Sequence, residues 1–120
     1  LDEFYLLMRE TVEPNEPLEH AAHRGLMEEF GATAELVDYA GAIKSRFYDS
    51  GIEIEKTTVY FLFKVIDQDT SKRTSSDAEQ GSVIEWLPPE FLIPIMKKQT
   101  DKHGRTDIDE SSILERYIAR

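Results

Sequence analysis

The chain has no cysteine. That removes disulfides, thiolate metal sites and cysteine nucleophiles from consideration, and it suits a reducing cytoplasm, the expected location. No apolar run reaches the roughly 20 residues that a helix needs to cross a bilayer, so neither a spanning helix nor a membrane partner is expected. Leu1-Asp2-Glu3-Phe4 lacks the basic flank and long apolar stretch of a secretory leader. Basic residues are scarce beside acidic ones, 14 Lys and Arg against 24 Asp and Glu, for a net charge of −10. Nucleic-acid binding relies mostly on lysine and arginine at phosphates, so general nucleic-acid binding is not expected. A small phosphorylated ligand stays open, because a divalent cation bridges two sets of negative charge.

What is present is enough for a core. With 120 residues and 40% hydrophobic content, the chain reads as one domain over residues 1–120. Phe4-Tyr5-Leu6-Leu7-Met8 is an apolar run with the look of a buried strand. A turn at Val12–Asn15 precedes a helix of roughly 14 residues. Asn15 or Glu16 is the expected cap, Pro17 fits the first turn, and Gly31 stops the helix. Two strands follow, Glu35–Phe47 and Ile52–Ile66, joined at Asp49-Ser50-Gly51 into a long antiparallel hairpin. Asp67–Gln80 is polar and aperiodic and reads as a mobile loop. Val83–Leu87 is a short strand candidate ended by Pro88-Pro89, and Glu90–Gln99 a helix bent or broken at Pro94. Thr100–Asp107 reads as a charged loop, after which Asp109 caps a last helix with Ile113, Leu114, Tyr117 and Ile118 on one side.

The chemistry concentrates in the first helix. At about 100° per residue, positions 25, 28 and 29 fall on one narrow arc. Ala22, Leu26 and Phe30 lie on the neighbouring arc, suited to docking on a sheet. Arg24 stands one turn before Glu28, so the two can pair. Adjacent carboxylates at Glu28 and Glu29 on a rigid element suit a hard divalent cation, although acidic, solvated helix faces are common and charge pattern alone is weak evidence.

The stretch Val12-Glu13-Pro14-Asn15-Glu16, followed by Arg24, Leu26, Glu28, Glu29 and Gly31, resembles the signature of the Nudix hydrolases, G-x5-E-x7-R-E-U-x-E-E-x-G-U with U a bulky aliphatic. Lys56-Thr57-Thr58-Val59-Tyr60-Phe61-Leu62 resembles the family's central strand, and Glu85-Trp86-Leu87-Pro88 its late strand. The resemblance implies an α+β class, a Nudix-like α/β/α sandwich with a mixed sheet. It implies a pyrophosphatase-type hydrolase acting on a nucleoside diphosphate derivative through water activated by Mg2+ or Mn2+. On that basis Glu28 and Glu29 hold the metal and carry catalysis with Arg24, and Glu16 assists as a metal ligand. Lys56 and Glu79 contact the substrate. The lead-in and the Lys-Thr strand look like members that cleave dinucleoside polyphosphates.

Two departures from the pattern bear on the chemistry. The opening glycine is Glu10, and the glutamate after the arginine is Gly25. Loss of a ligand or base there keeps a second reading open, a catalytically impaired Nudix-fold module that binds a nucleotide or a partner protein. About fifteen residues precede Glu16, so N-terminal strands are expected to be missing, or supplied by an upstream segment or a partner chain; exposed strand edges favour such pairing, including a homodimer. Other candidates are simpler. His20 and His23 form an H-x-x-H pair that reads as surface histidines, since a zinc site needs further ligands. Trp86 and Tyr60 read as core, and Tyr48 as a residue able to stack on a base.

Overall fold

A computed structural model describes residues 5–73, 83–103 and 109–120. The element order is α1 (Leu18–Gly25), a π-helical turn (Leu26–Phe30), β1 (Ala32–Asp49), β2 (Ile52–Gln68), a 3-10 turn (Thr70–Lys72), α2 (Pro89–His103) and α3 (Ser111–Ile118). Helices beside a β1–β2 antiparallel sheet make this an α+β fold, as expected. The hairpin forms where β-branched and aromatic residues cluster, and its two-residue turn has φ of 52° at Ser50 and 81° at Gly51. Two positive φ values in succession match the twist of the flanking strands. No helix among the described residues is long and apolar enough to cross a membrane.

The chain divides into two units. The first comprises Leu1–Leu7, Ala40–Tyr60 and Leu87–Arg120. Its buried residues include Gly41, Tyr60, Met96, Gln99, Glu110, Ser111 and Ile113. Residues 5–8 form no strand, contrary to expectation. Side chains instead satisfy the Tyr5 N–H and carbonyl and the Leu7 N–H, groups that a ladder partner would otherwise bond. The Tyr5 N–H donates to Gln99 Oε1 at 2.9 Å, and Gln99 Nε2 donates back to the Tyr5 carbonyl at 2.8 Å. The Leu7 N–H donates to Glu110 Oε1 at 2.8 Å. Glu110 is 0% exposed, and its other carboxylate oxygen accepts the Tyr60 hydroxyl proton.

The helix expected to bend or break at Pro94 is continuous from Pro89 to His103, which also takes in the start of the loop expected at Thr100. Pro94 removes one helical N–H, whose acceptor would be the Glu90 carbonyl; both residues are exposed, so the orphaned carbonyl stays open to solvent. The N-cap of α3 is Glu110 rather than the expected Asp109, which stands one residue earlier with Oδ1 accepting from the Ser111 N–H at 3.0 Å and the Ser111 hydroxyl at 2.5 Å. Lys97 and Glu115 tie α2 to α3 at 2.7 Å, and this bond holds the lysine's pKa above its ordinary value.

The second unit comprises Met8–Tyr39 and Phe61–Trp86. Its buried residues include Ala21, Gly25, Leu26, Gly31 and Ala32. His23 meets the edge of Phe63 at 4.9 Å between ring centroids. The segment expected to form a strand at Val83–Leu87 is irregular. Trp86, expected in the core, is 58% exposed, with its Nε1 donating to Gln68 Oε1 at 3.2 Å and its ring against Phe30. The expected loop from Asp67 starts later, because β2 continues to Gln68 and Asp69 Oδ1 caps the 3-10 turn through the Ser71 N–H and hydroxyl. These bonds hold the Asp69 pKa below its ordinary value.

Candidate functional site

The first helix begins and ends close to where its sequence signals place it. Its N-cap is Pro17 rather than Asn15 or Glu16, and no side chain caps it. Asn15 takes the turn before it, at φ 62°. The helix ends at Gly31, in the left-handed conformation at φ 64°. Glycine is required there on two grounds. A side chain disfavours that φ, and a Cβ would lie 2.0 Å from the Asp69 carbonyl oxygen. The close approach is a bonded one, since the Asp69 N–H donates to the Gly31 carbonyl at 2.9 Å. Side chains also satisfy the last carbonyls of the helix. Gln68 Nε2 donates to the Phe30 carbonyl at 3.1 Å, and Arg73 Nε donates to the Glu29 carbonyl.

Regular α-helical winding ends at Gly25. Leu26–Phe30 wind as a π-helix, a wider turn with i→i+5 bonds that is frequent at functional sites. The 100° arc expected for positions 25, 28 and 29 therefore does not continue past Gly25. The buried face shifts too: Ala21, Gly25 and Leu26 are buried, whereas Ala22 and Phe30 are half-buried. Glu28 and Glu29 are both half-buried, on the π turn itself.

Arg24 organises the carboxylates. Its Nε and Nη2 donate to the two oxygens of Glu16 at 3.0 and 2.9 Å, a bidentate pair of high geometric specificity. Nη2 also donates to the Thr11 carbonyl at 2.9 Å. Nη1 lies 3.3 Å from Glu28 Oε2, the i,i+4 pairing expected from the sequence, and 3.3 Å from Glu10 Oε1, with Glu13 Oε1 at 3.7 Å. One guanidinium thus faces four carboxylates. Glu16 is the most enclosed of them, its side chain 6% exposed. It also accepts from the Glu13 N–H at 3.0 Å and lies 2.7 Å from His20 Nδ1. The hydrogen bonds from Arg24, then from the Glu13 N–H, lower the Glu16 pKa from 4.5 to about 2. Reciprocally, Glu16 holds the Arg24 guanidinium further above its ordinary pKa.

Glu16, Arg24 and Glu28 therefore meet in one network, and Glu29 follows directly on the same turn. Lys56 is exposed on β2 in the first unit. Glu79 lies outside the described residues. Among the described residues no group of three or more His, Cys, Asp or Glu stands ready to hold a metal ion. His20 and His23 take surface roles, His20 against Glu16 and His23 3.6 Å from Glu19. Tyr48 is exposed at the hairpin end, and Tyr60 is buried as expected. Sequence reasoning missed two members of the network, Glu10 and Glu13. The available signal was a three-residue spacing of acids, 10, 13 and 16, leading into a helix with an arginine at its end.

No curated protein matches this chain. The NUDIX domain family matches it over residues 4–107, a span that includes the helix, the hairpin and α2. With most of its length matched, the chain belongs to the NUDIX domain family.

Proposed function

We propose that this chain hydrolyses a pyrophosphate bond in a nucleoside diphosphate derivative, with dinucleoside polyphosphates as the first substrates to test. The observation that carries the reading is the Arg24 network: one half-buried arginine clamped by Glu16 and placed 3.3 Å from Glu28 Oε2. Glu28 and Glu29 hold magnesium or manganese in this reading. The donor set suits such an ion, since Mg2+ is commonly held by one or two carboxylates and takes its remaining ligands from water and substrate phosphates. When bound, the ion neutralises phosphate charge and makes its water a stronger nucleophile. Arg24 orients Glu28. Glu16 assists at the helix start by fixing Arg24, and joins the metal site to the extent that His20 and Arg24 release its oxygens. Lys56 and Glu79 are the proposed substrate contacts.

Gly25 favours a second reading from another class, a NUDIX domain that binds a nucleotide without turnover. Position 25 carries no carboxylate here. One experiment separates the two. The purified chain is incubated with MgCl2 and a panel of nucleoside diphosphate derivatives, and phosphate release is measured with a coupled phosphatase. Turnover that falls at least about 100-fold in Glu29→Gln, the scale of a lost acid–base group, supports the enzyme. Nucleotide-dependent thermal stabilisation without turnover supports the binding module. Absence of both sinks the two readings together.

A further inference from the structure

Gly25 is buried on the helix, and the segment preceding the helix passes directly over it. A Cβ at position 25 would lie 2.8 Å from the Cβ of Glu10, 3.1 Å from Met8 Sδ and 3.2 Å from Glu10 Cγ. The first contact is the severe one. Met8 Sδ lies far out on a flexible side chain and can move aside, but the Glu10 Cβ moves only with its backbone. The Glu10 side chain then turns onto Arg24. Its Oε1 lies 3.3 Å from Arg24 Nη1 and accepts the Thr11 N–H at 3.2 Å. The same Nη1 serves Glu28 Oε2 at 3.3 Å. The guanidinium is thus held on one edge by Glu16, through Nε and Nη2. On the other side Glu10 and Glu28 share Nη1 at equal distance, with Glu13 Oε1 further off at 3.7 Å.

We propose that Glu10 is a positioning residue that, from the space Gly25 leaves open, holds Arg24 Nη1 between itself and Glu28. Positions 10 and 25 are one steric unit in which only one of the two bears a side chain. The departures from the NUDIX signature at Glu10 and Gly25 are therefore a coupled exchange rather than two separate losses. Glu10 restrains Arg24 from closing fully on Glu28, which keeps Glu28 available for other partners. That last role rests on the metal-binding reading above; the steric pairing of 10 with 25 does not.

Two measurements test the two halves. The first is a thermal-unfolding cycle of Gly25→Ala, Glu10→Gly and the double variant. Alanine favours a helix over glycine, so Gly25→Ala should raise Tm wherever the space is free. The expected result is a change of sign: Gly25→Ala lowers Tm in the parent chain and raises it, by about 4 °C, in the Glu10→Gly background. The same sign in both backgrounds overturns the pairing. The second is titration of the parent chain and of Glu10→Gln with MnCl2. Glutamine keeps the Cβ and Cγ over Gly25 and drops the charge. Loss of an outer partner typically weakens metal affinity by about 10-fold or more, and that loss is expected with unchanged Tm. Equal Mn2+ affinity in the two proteins overturns the positioning role. No Mn2+ binding by the parent chain overturns both that role and the metal reading, while the thermal cycle still decides the steric pairing by itself.

Discussion

Glu110 is the most exacting test of how the first unit is held together. It is 0% exposed, accepts the Leu7 N–H at 2.8 Å and accepts the Tyr60 hydroxyl proton. Glu110→Ala removes both acceptors. Each stranded donor costs about 1–3 kcal/mol, and the one lost methylene adds about 0.8 kcal/mol of burial. Partial rehydration offsets some of this, so the expected destabilisation is about 3–6 kcal/mol, a large share of the stability of a domain this size. Glu110→Gln should cost about 1–2 kcal/mol, because its amide oxygen still accepts from Leu7 and its amide nitrogen donates to a Tyr60 oxygen that reverses its role. Tyr60→Phe should fall between them, since it leaves the carboxylate with one partner fewer. The assay is urea unfolding followed by far-UV circular dichroism, reading midpoint and slope separately. If Glu110→Ala unfolds within about 1 kcal/mol of the parent at an unchanged slope, the N-terminal segment is not anchored by this carboxylate and the reasoning fails.

Other predictions concern the helix. Because the folded Glu16 pKa is lowered from 4.5 to about 2, its contribution is full above 4.5 and is lost as pH falls towards 2; acid unfolding of Glu16→Gln should be flatter across that window, and identical acid profiles would contradict the pairing. Gly31→Ala adds a Cβ 2.0 Å from the Asp69 carbonyl oxygen at a positive φ, so it should destabilise by more than about 1–2 kcal/mol, measured by thermal unfolding. Gly25→Glu alone should lower Tm and fail to raise turnover, whereas Glu10→Gly/Gly25→Glu should tolerate the new carboxylate; equal activity in the two variants would show that Glu10 does not govern the site. Arg24→Lys should not rescue Arg24→Ala in the phosphate-release assay, because a lysine cannot reproduce the bidentate grip on Glu16.

The helix and the hairpin were legible in the sequence because their signals are local. Pro17 and Gly31 bracket the helix, Ser50-Gly51 supplies the turn, and Arg24 and Glu28 are neighbours by helical spacing alone. The misread segments lack that property. Residues 5–8 and 83–87 look like strands by composition, but a strand exists only where a partner ladder meets it. The partners of Tyr5 and Leu7 are side chains 94 and 103 residues away, and no local pattern announces them. Trp86 reads as core by residue type, yet its burial depends on what packs over it.

The sequence by itself determined the carboxylate-bearing helix, its limits and its family, since these follow from residue types at fixed spacing along one element. Only the tertiary structure decided what the departures at Glu10 and Gly25 mean. Steric exclusion between two residues fifteen positions apart is set by how the chain folds back on its helix, and spacing along the chain carries no record of that approach. The same fold decided that Arg24 answers to four carboxylates, three of them from the segment leading into the helix.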